Sequence, residues 1–215
     1  RMFTDQGAHG RVGIYGNTDL GSAFVVFTHL QKLMPELELV GETRDDSLFM
    51  KAMETKDETE VARICKMGRI TTQVVGRVAE YLTSREVRED EVLLKEDGSP
   101  LTIADVKAKI NLWLAELGAE NPEGTIFAIG RDAGVPHSSG NPEDLLRLGQ
   151  TIVFDIFPCE AGGGYFYDFT RTWCLGYASE EAQKLFAQVR EAYDKVMENL
   201  DLNVPFKNYQ RLVCE

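Results

Sequence analysis

The stretch TIVFDIFPCEAGGGYFYDFTRTWCL, residues 151–175, decides how the rest of the chain is read. Thr151 to Phe157 is nearly unbroken in apolar character and reads as a buried strand. The part rich in aromatics and threonine reads as a second strand, with Gly162, Gly163 and Gly164 in the connector between them. The pattern predicts a hairpin. Asp155 interrupts the first strand between Phe154 and Ile156, where a lone carboxylate is costly to bury without a cation or a dense set of donors beside it. In the second strand the two-residue period puts Phe166, Asp168, Thr170, Thr172 and Cys174 on one face, and Tyr165, Tyr167, Phe169, Arg171 and Trp173 on the other. Asp168 therefore shares its face with small polar groups and not with Arg171.

Two carboxylates facing one another on paired strands repel unless positive charge lies between them. One reading is structural, with Asp155 accepting backbone N–H bonds and Asp168 meeting Arg171 or solvent. The other is that both carboxylates bind a divalent cation, or a pair of them, through oxygen. Upstream, Thr125 to Ile129 reads as a short strand running into a loop that holds His137, Ser138, Ser139, Gly140 and Asn141.

The order of a strand, GRDAGVPHSSGN, an LxxG turn, VFDI and YDFTRT resembles the first catalytic half of the M24 metallopeptidases. Their pita-bread fold is shared by Xaa-Pro aminopeptidases, prolidases, methionine aminopeptidases and creatinase, and the resemblance points to the Xaa-Pro aminopeptidase and prolidase branch. It implies that Asp155 matches the family's first, bidentate metal-ligating aspartate and Asp168 the second, which bridges two metals. His137 matches the histidine that contacts substrate or the tetrahedral intermediate without being a primary ligand, and Thr170 is a supporting hydroxyl beside the ligands. The implied cofactor is two divalent metal ions. Oxygen-rich ligands suit Mn²⁺, the expected metal, and also accept Co²⁺ or Zn²⁺.

The sequence departs from the family in two places. The connector around Pro158 to Gly164 is longer than the family usually has. The family also completes its site with a histidine and two glutamates from the second half of the domain, whereas His9, His29 and His137 all precede Asp155. The complete ligand set cannot be assembled from matching residues. The chain opens on Arg1 and finishes on YQRLVCE within an apparent helix, so both ends are expected to belong to a longer parent.

With 215 residues, 43% apolar and 27% charged, the composition is that of a globular chain with a substantial core. A formal charge of −12 and the lack of a basic run argue against a nucleic-acid footprint. No stretch has the apolar length of a membrane span. Cys65, Cys159, Cys174 and Cys214 show no CxxC spacing, so a disulfide framework or thiolate zinc site has little support and a reducing cytoplasm is expected. Cys159 reads as a loop thiol.

In chain order, residues 1–44 read as the C-terminal part of a small α/β domain, with a strand at Arg11 to Tyr15, a turn at Gly16-Asn17, a helix or mixed segment at Leu20 to Leu33, and a strand at Leu37 to Val40. GRVGIYGN lacks the spacing of a phosphate loop. Residues 45–56 read as a linker, and 57–215 as the N-terminal half of an M24-like catalytic domain. Within it, Val61, Ile64, Cys65, Gly68, Thr71, Val74, Val75, Val78 and Leu82 recur at helical spacing. REVREDEVLLKEDGSP reads as a solvated helix end and loop. Thr102 with Asp105 predicts a helix N-terminus, continued by Ile103, Val106, Ile110 and Leu114 to Gly118. A further amphipathic helix is expected from Ser179 to Leu200. The fold class is α+β, with amphipathic helices over an antiparallel sheet.

The resemblance implies that the full-length parent is a dinuclear metal-dependent peptidase acting on the Xaa-Pro bond at a peptide N-terminus. The alternatives are an Xaa-Pro dipeptidase, a creatinase-like C–N hydrolase, or a non-catalytic binding module on the same fold. A proline-containing peptide or dipeptide is the implied partner, with no nucleic acid and no membrane, and the parent is expected to be a homodimer. The chain by itself is expected to bind divalent metal weakly, to be inactive, and to expose apolar surface.

Overall fold

The computed structural model describes residues 5–16, 18–41 and 47–214. The chain divides into two compact units, residues 1–59 and 60–215.

In the first unit, β1 (Gly10–Ile14) and β2 (Leu37–Gly41) pair in parallel and α1 (Leu20–Leu33) connects them. A parallel pair needs such a crossover, and the helix is started by Asp19, whose carboxylate accepts the Ser22 N–H at 2.8 Å. The turn expected at Gly16-Asn17 involves Asn17, which lies outside the described residues. So do residues 42–46, which include the start of the expected linker. The middle of that linker forms α2 (Leu48–Met53).

The second unit is built on α3 (Glu58–Thr83) and α4 (Ile103–Glu116). The buried stripe of α3 runs through Met67, Ile70, Thr71, Val74, Val75, Val78 and Leu82. It starts later than the periodicity predicts, since Val61 and Cys65 are exposed ahead of the core. At α4 the Thr102 hydroxyl accepts the Asp105 N–H at 3.2 Å while Asp105 accepts the Thr102 N–H at 3.0 Å. Aspartate thus closes the reciprocal cap that glutamate more often makes. Ile103, Val106 and Ile110 then go fully into the core.

The segment between these helices corrects the expectation of a solvated loop. Val92 and Leu93 are buried, and bridges pair Val87 with Leu93, Leu94 with Pro100, and Val92 with Arg147. The charged residues turn outward, with Arg88 bound to Asp90 at 2.7 Å, so a short apolar triplet contributes to the core from within a charged run.

The central sheet has the order β4-β5-β7, formed by β4 (Thr125–Ile129), β5 (Thr151–Ile156) and β7 (Phe169–Cys174), all antiparallel. Ile152, Phe154 and Ile156 of β5 join Phe127 and Ile129 in the core with α3 and α4, while Val153 and Asp155 point to the other, half-open face. The unbroken apolar look of β5 thus hides a one-sided strand. β3 (Ala119–Glu120) pairs with β6 (Cys159–Glu160) inside the expected hairpin connector. Cys159 is consequently buried in a strand, not a loop, and burial pushes its thiol pKa up.

After β7, Ser179 caps α5 (Glu180–Asn199), followed by α6 (Phe206–Cys214). The apolar stripe of α5 is present but stays open: Leu185 is 62% exposed, Phe186 63% and Val189 61%.

Candidate active site

Asp155 lies in the central strand of the sheet, with Ile126 of β4 on one side and Thr170 of β7 on the other. Thr170 Oγ1 donates to Asp155 Oδ1 at 2.6 Å, a charge-assisted bond that fixes one carboxylate oxygen. Asp168 precedes β7 and, two residues before Thr170, reaches Asp155 diagonally. The expected face-to-face opposition of the two aspartates is therefore offset by one pleat, because the register sets a threonine opposite Asp155. The carboxyls still interact. Partial burial, then the charge of Asp155, then a hydrogen bond between the two raise the pKa of Asp168, against the opposing pull of the Phe169 N–H. Among the described residues no cationic side chain pairs with either carboxyl, and a cation between the two groups would relieve the repulsion.

The candidate structural partner is engaged elsewhere. Arg171 Nη1 donates to the Thr170 carbonyl at 2.7 Å, and its guanidinium lies 4.0 Å from the centroid of the Phe169 ring. The alternation along β7 thus separates Arg171 from Asp168, as the two-residue period predicts.

His137 reaches the same neighbourhood from the loop after β4. With Asp155, Thr170, Val153 and Asp132 it lines a pocket of about 330 Å³. Asp168 does not line that pocket. His137 has φ 60, a left-handed conformation uncommon for a residue with a side chain. The loop is fastened beyond it. Ser139 O accepts Lys107 Nζ at 2.6 Å and the Phe127 N–H at 3.4 Å, which ties the loop to α4 and to the outer edge of β4. Gly140 is required there, because a Cβ would stand 2.3 Å from the Phe127 carbonyl oxygen. Burial draws the pKa of Lys107 down while its ammonium holds the loop.

Two of these residues escape sequence reasoning. Lys107 is one more polar position on an amphipathic helix, with nothing local to mark it. Asp132, in the short 3₁₀ helix Asp132–Gly134, follows the strand in GRDAGVPH, and that position was its only signal.

Asp155 and Asp168 fit as oxygen donors to a hard or borderline divalent ion, and the Thr170 hydroxyl leaves Asp155 its second oxygen for that purpose. Among the described residues, no group of three or more His, Cys, Asp or Glu side chains comes together to hold a metal.

Residues 62–215 match metallopeptidase family M24. Among solved structures, the chain is similar to an X-Pro aminopeptidase from Thermotoga maritima, with TM-score 0.73 and 19% identity over 99% of this chain and 53% of that one. It is also similar to a prolidase from Thermococcus sibiricus, with TM-score 0.69 and 21% identity over 95% of this chain and 50% of that one. A prolidase from Pyrococcus horikoshii gives TM-score 0.70 and 22% identity, covering 99% and 55%. At these identities the likeness shows the fold, and the chain spans about half the length of the structures it matches. No curated protein matches it. The span matched by the family takes in α4, the three-stranded sheet, His137 and both aspartates, and the chain belongs to metallopeptidase family M24.

Proposed function

We propose that the full-length protein containing this chain is a dinuclear metal-dependent peptidase that hydrolyses the Xaa-Pro bond at a peptide N-terminus. The observation that carries the reading is the apposition of Asp155 and Asp168, with no cationic partner among the described residues, where Asp155 lines the His137 pocket. Asp155 and Asp168 would hold the ions, and Mn²⁺ is the proposed metal, with Co²⁺ or Zn²⁺ as substitutes. When bound, a pair of divalent ions supplies Lewis acidity and lowers the pKa of a bound water.

The chain's own residues do the rest. Thr170 keeps Asp155 oriented through its hydroxyl. His137, held in its left-handed conformation by the anchored loop, offers a ring N–H to the substrate carbonyl and to the oxyanion that develops from it. We also propose a cytoplasmic location, the reading that goes with the lack of CxxC spacing among Cys65, Cys159, Cys174 and Cys214.

The test is a substrate panel of Xaa-Pro dipeptides and Xaa-Pro-Yaa tripeptides, with creatine as a control, on the metal-loaded full-length protein and its Asp168→Asn variant. Tripeptide cleavage that falls together with metal content in the variant is expected. Preference for dipeptides would make the protein a prolidase, and turnover of creatine alone would move it to C–N hydrolysis. Full activity in a correctly folded Asp168→Asn protein would remove the reading.

A further inference from the structure

Asp168 lies outside the strand ladder, so its place is set by the connector that leads to it, and that connector is clamped to α3. Glu160 of β6 accepts two bonds from Arg63 of α3, from Nε at 3.1 Å and Nη2 at 2.5 Å. The same carboxylate accepts the Tyr165 N–H at 3.0 Å, and the Arg63 guanidinium lies 5.0 Å from the centroid of the Tyr165 ring. The Tyr165 hydroxyl donates to Glu60, one turn earlier on α3. Between these anchors Gly164 lies against the Glu160 carboxylate, where a Cβ would meet one of its oxygens at 2.2 Å.

The next residues continue the contact. The Tyr167 N–H donates to the Pro158 carbonyl at 3.0 Å, and its ring lies over Gly68 of α3, within 2.8 Å of where a Cβ would stand. Tyr165 and Tyr167 thus both turn toward α3. By alternation Asp168 turns the other way, toward Asp155. An exposed ion pair by itself contributes little. Here the forked geometry, the stacked ring and the backbone bond all act on one short segment, and the Glu160 side chain is only 18% exposed.

We infer that Arg63, Glu160 and Tyr165 form a positioning clamp that sets where Asp168 meets Asp155, and so sets the geometry of the divalent-cation site. Arg63 and Glu160 are far apart in sequence and are not among the residues that line the pocket of His137 and Asp155. They act through the connector. The inference rests on the metallopeptidase reading above.

The test uses the full-length protein, with Co²⁺ as probe. Its affinity and visible absorption spectrum are measured beside the melting temperature for wild type, Arg63→Met, Glu160→Gln, the double variant, and the charge-swapped pair Arg63→Glu with Glu160→Arg. Arg63→Met is expected to weaken Co²⁺ binding by about tenfold and to alter the spectrum, the scale for partners that orient a ligand. The double variant should lose little more than either single one, and the swapped pair should recover part of the loss. A lower melting temperature with unchanged Co²⁺ affinity and spectrum would reduce the clamp to a structural tie and overturn the inference. If Arg63→Met does not fold, Tyr165→Phe removes the hydroxyl that donates to Glu60 and should weaken Co²⁺ binding roughly threefold, with unchanged binding again counting against the clamp. Asp155→Asn separates the two levels of argument. If that variant binds Co²⁺ as wild type does, the metal site itself is misassigned; if it loses binding while Arg63→Met does not, the clamp alone fails.

Discussion

Thr170→Val is the sharpest perturbation of the site that leaves its shape alone. The two side chains are nearly isosteric and both β-branched, so β7 keeps its packing and its strand preference. What disappears is the hydroxyl that donates to Asp155 at 2.6 Å. A hydrogen bond to a charged group contributes about 1.5–3 kcal/mol, and Thr170 is exposed, which places the loss near the lower end. About 1.4 kcal/mol corresponds to tenfold in a binding constant, and loss of a group that orients a ligand costs roughly 10- to 100-fold in metal affinity. The expected result is a roughly tenfold weaker affinity of the full-length protein for Mn²⁺, measured by calorimetric titration, with the melting temperature of the metal-free protein nearly unchanged. Thr170→Ser, which restores a donor, should recover most of the affinity. If Thr170→Val binds Mn²⁺ as wild type does while Asp155→Asn loses it, the hydroxyl does not orient the carboxylate and this account of the site is wrong.

His137→Ala should leave metal content near the wild-type value and lower kcat/KM by roughly 10² or more, the scale for loss of a transition-state donor; a parallel loss of metal would instead make His137 a ligand. A different check concerns Asp90, whose pKa Arg88 lowers to about 2 by hydrogen bonding. A depressed carboxylate pKa contributes stability that is present above the ordinary carboxylate range and lost as pH falls towards 2. Acid unfolding curves should therefore be flatter between about pH 4 and 2 for Asp90→Asn than for wild type, and identical curves would show that the pair does not persist in solution.

Local periodicity was enough to specify much of the architecture. Most of the stripe of α3, the cap of α4 by Thr102 and Asp105, the strand Thr125–Ile129 and the helix that starts after Ser179 follow from spacing and end residues, because those preferences act within a few turns of chain. The same period put Asp168 and Thr170 on one face and Arg171 on the other, and the stacking of Arg171 on Phe169 agrees with it. The motif around Asp155 and Asp168 also carried the family, to which residues 62–215 belong.

Other features are decided between segments. A period of two states which face a residue occupies and leaves the register free, so only the pairing of β5 with β7 reveals that Thr170, not Asp168, stands opposite Asp155. Cys159 looked like a loop thiol because the strand that buries it, β3, contributes two residues and no pattern. Val92 and Leu93 enter the core from a run that composition marks as solvated, since burial depends on what the fold brings against three apolar residues. Lys107 and Arg63 are ordinary polar helix positions until a distant loop and connector are laid across them. By itself the sequence determined the longer helices, the strands of the central sheet and the alternation of faces along β7. Register, burial within charged or irregular segments, and the anchors of the His137 loop and the Asp168 connector were decided by tertiary structure, because each depends on a partner far along the chain that no local preference encodes.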